Sequence, residues 1–232
     1  MTADRLPRID DAPKCLSQRA HRRLIGFLGL VLPALLYLWA ALFRTDGLAP
    51  WDVMDSVSEY YYTGASGIFV GVLFALSLFL FTYPGYPDTK ADRIIGCLGG
   101  TAALGVALFP TSAPEKLYEP TWWSEPLGVV HYVCAIVLFI VFIIFSIWLF
   151  RLSDIQKRRE RSVEKRRRDS ICLVCGVVMI VCVLWAATSL ITGAAIFWPE
   201  SIAIAAFAVS WLTKGEIHQP VLRWVRHVRS SP

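Results

Sequence analysis

"SICLVCGVVMIVCVLWAATSLITGAAIFWPESIAIAAFAVSWL", residues 170–212, is a run of 43 residues with one charge, Glu200. A helix needs about 20 apolar residues to cross a ~30 Å hydrocarbon core, so the run is roughly twice too long for one crossing. Thr192-Gly193 and Pro199 interrupt it where a turn would fall. It therefore reads as two helices, 171–191 and 197–212.

Working outward, four further apolar stretches occupy 24–43, 65–83, 94–109 and 127–150. The whole chain of 232 residues is 56% hydrophobic and 18% charged, with a mean hydropathy of +0.53. Soluble domains average about 45–50% apolar and about 25% charged residues. The expectation is an all-α, polytopic membrane protein, a bundle of six transmembrane helices. Residues 1–23 form an N-terminal tail, polar and disordered over 1–18; 24–212 form the membrane domain and 213–232 a basic amphipathic tail. The first apolar run is longer than a signal-peptide core and lacks a small-x-small cleavage site, so it reads as an uncleaved anchor.

Lys and Arg set the orientation. Twenty-one of the 23 fall in the two tails and in the 84–93 and 151–169 loops, leaving only Arg44 and Lys116 on the other side. Both termini are thus expected in the cytoplasm of a multi-pass protein of the cell (inner or plasma) membrane. Eight of the 18 acids, Asp55, Glu59 and Glu200 among them, fall on the outer side. The stretch 151–169, with nine bases, suits anionic headgroups, and its pairs Asp154–Arg158 and Glu164–Arg168 would carry the fourth helix beyond the membrane. In the tail, Val221, Val225 and Val228 share a helical face suited to the interface. Nucleic-acid binding is not expected; membrane lipids are, and a homo-oligomer is compatible with the composition.

Small residues at four-residue spacing, Gly67 and Gly71, Gly96 and Gly100, predict close helix packing, with Ala203, Ala206 and Ala208 doing the same on the last helix. The six cysteines, including the Cys172-x-x-Cys175 pair, read as small apolar filler. After Pro50, the spacing of Trp51, Met54 and Val57 predicts a short interfacial helix facing lipid. Tyr60, Tyr61 and Tyr62, with Trp51, Trp122, Trp123 and Trp198, would form an outer aromatic belt.

Titratable groups at membrane depth are costly and are functional candidates by default. Asp55 and Glu59 stand four residues apart before the second span, His131 lies about 7 Å inside the fourth at 1.5 Å per residue, and Glu200 opens the sixth behind Pro199. All lie at the outer end, with Ser56 and Ser58 beside them. Asp55 or Ser58 could instead cap the following helix, and Glu200 fits the positive end of its own helix dipole. The candidate outer-face binding cluster is Asp55, Ser58, Glu59, His131 and Glu200. A histidine–carboxylate pair could bind a headgroup amine, move a proton or assist hydrolysis. Zinc would need three ligands; Glu59, His131 and Glu200 could supply them, but no short metal motif supports it, so no metal and no cofactor are expected. No G-x-S-x-G, Walker or dinucleotide motif is present.

Taken in order, "SVSEYYYTG", "IFVGVLF", "ALFPT", "VVHY" and "FWPESIAIAAFAVSWLTKGE", over residues 55–216, resemble a group of uncharacterised small bacterial six-span membrane proteins. The layout is more distantly similar to the damage-regulated autophagy modulator family, whose acidic serine motif, histidine and glutamate find counterparts in Asp55-Ser56, His131 and Glu200. That family's Pro-x-Ile-Ser-Asp pattern is not reproduced. The resemblance implies the fold and the role of a membrane modulator, not a reaction. The first expectation is accordingly a non-enzymatic lipid- or partner-binding protein. The alternatives are a membrane-embedded lipid hydrolase using His131 with Glu59 or Glu200, and a small transporter, although no repeat relates 24–109 to 127–212.

Overall fold

The computed structural model describes residues 18–43, 49, 52–85, 90–114, 117, 119–152 and 163–216, with backbone alone for Leu152, Val163, Glu164 and Leu190. Among them all regular structure is helical. Helix α1 is Gln18–Leu42, α2 Ser66–Phe81, α3 Ala91–Leu108, α4 Glu125–Ile144, α5 Val163–Thr192 and α6 Phe197–Lys214. A π-helical turn, Phe145–Leu149, and a last turn, Phe150–Leu152, prolong α4. The expected boundaries differ mainly at one end of the bundle, where helices run into charged sequence: α1 starts before Arg22-Arg23, and α5 takes up Arg166, Arg167 and Arg168. A charged side chain is no obstacle to a helix once the backbone has left the hydrocarbon.

Four helical segments are long and apolar enough to cross a membrane: Gln18–Leu42, Ala91–Leu108, Glu125–Leu149 and Lys165–Ser189; Ser66–Phe81 is apolar but shorter. Their outward faces carry exposed Phe27, Leu38, Ile94, Ile136, Val174 and Leu184. An apolar exterior of this extent suits lipid rather than water.

Each helix packs against its neighbours in the chain, and α6 closes the ring on α1. Close approach is built with glycine. A Cβ at Gly26 would lie 2.9 Å from Ala208 O, and one at Gly96 2.9 Å from Leu80 O, so α1–α6 and α2–α3 touch almost backbone to backbone. Gly100 faces the Phe81 ring, whereas Gly67 and Gly71 face open space, and the packing expected of that pair is absent from the chain's own contacts. Ala203 and Ala208 are buried, as are Cys172, Cys175 and Cys182. Inside the ring Phe142 stacks on Phe207 at 3.6 Å between centroids. Around the π-turn, Phe145, Phe150 and Tyr83 each lie within 5.1 Å of the Trp211 ring.

The described ends of the chain meet at one end of the bundle. Arg23 donates to the carbonyls of Gly215 and Glu216, while Glu216 takes salt bridges from Arg19 and Arg168. Arg168 pairs with Glu216, just beyond α6, and Lys165 to Asp169 belong to α5; the expected extension of α4 beyond Leu152 falls on 153–162, outside the described residues. The Asp154–Arg158 pair, Trp51, residues 1–17 and the tail helix around Val221 lie outside the described residues, as does the side chain of Glu164.

Candidate functional site

The opposite end is organised by residues 52–65. They do not form a lipid-facing helix. Met54 and Val57 turn into the protein interior and are each 4% exposed, followed by Tyr60 at 0%. The three-residue spacing does mark one buried face, but periodicity alone cannot say whether that face meets lipid or protein. The belt reading fails for the tyrosines for the same reason. Tyr60 packs on Phe197 and Tyr61 on Phe69, while Tyr62 donates its hydroxyl to Thr111 O at 2.5 Å. Burial, with Glu119 adding, pushes the Tyr62 phenol up to about 12. Trp122 and Trp198 do stay exposed.

A bend at 55–57 leads into a 3-10 turn, Ser58–Tyr62, and both are tied to α6. Asp55 O accepts from Ile196 N–H and Phe197 N–H at 2.6 and 2.8 Å. Val57 N–H donates to Glu200 Oε2 at 2.7 Å. The Glu200 carboxylate thus serves another segment's backbone as well as lying in the first turn of its own helix. Within the bend Ser56 Oγ accepts from Glu59 N–H, and Glu59 Oε2 accepts from Asp55 N–H. Ser56 makes the capping bond; the turn's N-cap is Val57, without a side-chain cap, and neither Asp55 nor Ser58 fills that role. Burial raises the Glu59 carboxyl above the ordinary glutamate range, opposed by the Asp55 N–H bond and reinforced by the Asp55 charge.

His131 sits in the second turn of α4 and is 2% exposed. Its Nδ1 is 2.6 Å from Phe109 O, just past the end of α3, and its Nε2 is 3.0 Å from Ser58 Oγ. A carbonyl oxygen only accepts, so Nδ1 bears the hydrogen, and in the neutral ring Nε2 accepts the Ser58 hydroxyl. The expected histidine–carboxylate pair is therefore not made. The partner is a serine, and the orienting group is backbone.

Asp55, Ser58, Glu59, His131 and Glu200 all line one cleft of about 280 Å³, with Ser56, Thr111, Tyr132, Ser189 and Gly193. Thr111 and Tyr132 hydroxyls bond each other at 2.8 Å. Sequence reasoning passed over these two, because neither is titratable in the physiological range and the Thr111–Tyr132 contact joins a loop to a helix. Among the described residues three carboxylates line the cleft and no Lys or Arg does. Below it, a narrow apolar cavity of about 50 Å³ runs between α1, α2, α3, α4 and α6, past Leu32, Leu73, Val106, Phe142 and Phe207. Ser58, Ala135 and Glu200 line both spaces. Among the described residues no group of three His, Cys, Asp or Glu side chains is placed to hold a metal ion. No protein-family model, curated protein or solved structure matches the chain.

Proposed function

We propose that the chain is a six-span protein of the cell membrane, with both termini cytoplasmic, whose cleft binds the amine-bearing headgroup of an outer-leaflet lipid. The distribution of 21 of 23 bases to one side supports the orientation. The observation that carries the binding reading is the pairing of an acidic cleft, lined by no Lys or Arg among the described residues, with an apolar cavity reached through Ser58 and Glu200. An ammonium group gains from carboxylates held where solvent screens them poorly, and the first carbons beyond the head of an amphiphile gain from leaving the cleft for the cavity. A phosphate-only headgroup meets repulsion in the same place.

The test is native mass spectrometry of the protein released from mixed vesicles of phosphatidylethanolamine and phosphatidylglycerol. The wild type should retain the amine lipid. Glu59→Gln with Glu200→Gln should reduce that retention about tenfold, equivalent to ~1.4 kcal/mol, in a folded protein. Unchanged retention by the double variant would remove the cleft from consideration.

At the basic end a different lipid is favoured. Arg151, Arg166 and Trp148, with Asp169 and Ser170, line a recess of about 530 Å³, where each base near an anionic surface contributes about 1 kcal/mol.

A further inference from the structure

Ser58 and His131 have the relation that a nucleophile and its base require. The hydroxyl oxygen is 3.0 Å from Nε2, and the opposite nitrogen is anchored 2.6 Å from Phe109 O. A base oriented by a third group and in reach of a hydroxyl is the general signature of an activated nucleophile. Here a backbone carbonyl holds the tautomer. The pair also stands at a particular depth: Ser58 lines both the polar cleft and the apolar cavity. An amphiphile with its head in the cleft and the first carbons of its chain entering the cavity brings the bond joining head to chain against Ser58 Oγ.

We propose that Ser58 is the nucleophile and His131 the general base in cleaving a carboxylic ester of an acylated, amine-bearing amphiphile. This rests on the headgroup reading above. Ser58 Oγ adds to the ester carbonyl carbon as its proton passes to His131 Nε2. The ester C–O bond then breaks, the leaving alcohol takes that proton, and the acyl group stays on Ser58. Water adds next, giving a proton to Nε2; the acyl–Oγ bond breaks, and Ser58 recovers its proton as the carboxylic acid departs. Ester and water become acid and alcohol, with no change of oxidation state.

The experiment uses the full chain in nanodiscs containing phosphatidylethanolamine, treated with an alkyl fluorophosphonate, the modified serine being located by mass spectrometry. Ser58 should react roughly 100-fold faster than exposed Ser112, His131→Gln should slow it by roughly 100-fold or more, and Ser58→Ala should abolish it. Lysolipid and free fatty acid should accumulate with the wild type only. A folded wild type that retains the amine lipid but leaves Ser58 no more reactive than Ser112 would overturn the nucleophile while leaving the headgroup reading intact. Labelling at an undiminished rate in His131→Gln would overturn the base. Should that variant fail to fold, the contrast of Ser58 with Ser112 in the wild type still decides. Loss of amine-lipid retention by the wild type would sink the headgroup reading and this proposal together.

Discussion

Two buried histidines sit at opposite ends of the bundle, His21 and His131, and each has a ring nitrogen 2.6 Å from the carbonyl oxygen of a phenylalanine, Phe79 in one case and Phe109 in the other. What differs is the rest of the surroundings. His21 lies edge-on to Phe79 and beside Tyr83, next to an Arg22 whose guanidinium donates twice to the Tyr83 hydroxyl. His131 instead has a serine hydroxyl on its second nitrogen and a cleft in front of it. The charges follow the same division. At the basic end, Arg19 and Arg168 meet Glu216, and Lys214 donates to Phe150 O. At the cleft end, three carboxylates line a cavity with no Lys or Arg beside them among the described residues. One end uses its polar groups to close the helix ring; the other leaves them lining an open cleft.

The largest expected effect tests whether the histidines differ in kind. His131→Gln should lower the rate of fluorophosphonate labelling by roughly 10²–10⁴-fold, whereas His21→Gln should change it less than about twofold. Equal losses in both would mean that each acts only by holding the fold. Stability should show the reverse asymmetry. Glu216→Gln removes the charge that Arg19 and Arg168 share and, with the Arg19 side chain largely solvated, should lower the unfolding free energy by about 1 kcal/mol, read from denaturant titration in mixed micelles. Glu59→Gln, which relieves a buried carboxyl, should leave it unchanged or slightly higher.

Tyr62→Phe removes one donated bond and should cost about 1 kcal/mol. It should also delete the tyrosine that ionises near 12 from the alkaline absorbance titration. The smallest effect is the pH dependence of Glu59. Its folded pKa is raised by burial, so the native state binds the proton more tightly than the unfolded chain. The associated stability is fully present below the ordinary glutamate value of about 4.3 and is lost as pH rises through the higher folded value. Amine-lipid retention should climb over the same interval as the carboxylate forms, and Glu59→Gln should flatten both curves.

Much of the architecture was legible because it depends on composition segment by segment. The break at Thr192-Gly193 and Pro199 falls where α5 ends and α6 begins, and Gly193 adopts a φ of +65° there. Asp55, Glu59, His131 and Glu200 were singled out because charge is expensive at depth, and all four line the cleft. The sense in which residues 54, 57 and 60 face was not legible. A Met or Val gains as much from a protein interior as from lipid, and the pattern is the same for both. His21 was passed over because it abuts Arg22 and Arg23, which read as a topology signal, although α1 begins before it and buries it.

The sequence by itself determined which segments are apolar helices fit for a membrane, since each segment's transfer free energy depends only on its own side chains. The tertiary structure alone decided that the imidazole meets a serine rather than a carboxylate. Ser58 and His131 are 73 residues apart, and their contact depends on the bend at 55–57 being fastened to the start of α6 while the end of α3 supplies Phe109 O. No local pattern encodes a juxtaposition that three separate elements must hold in place.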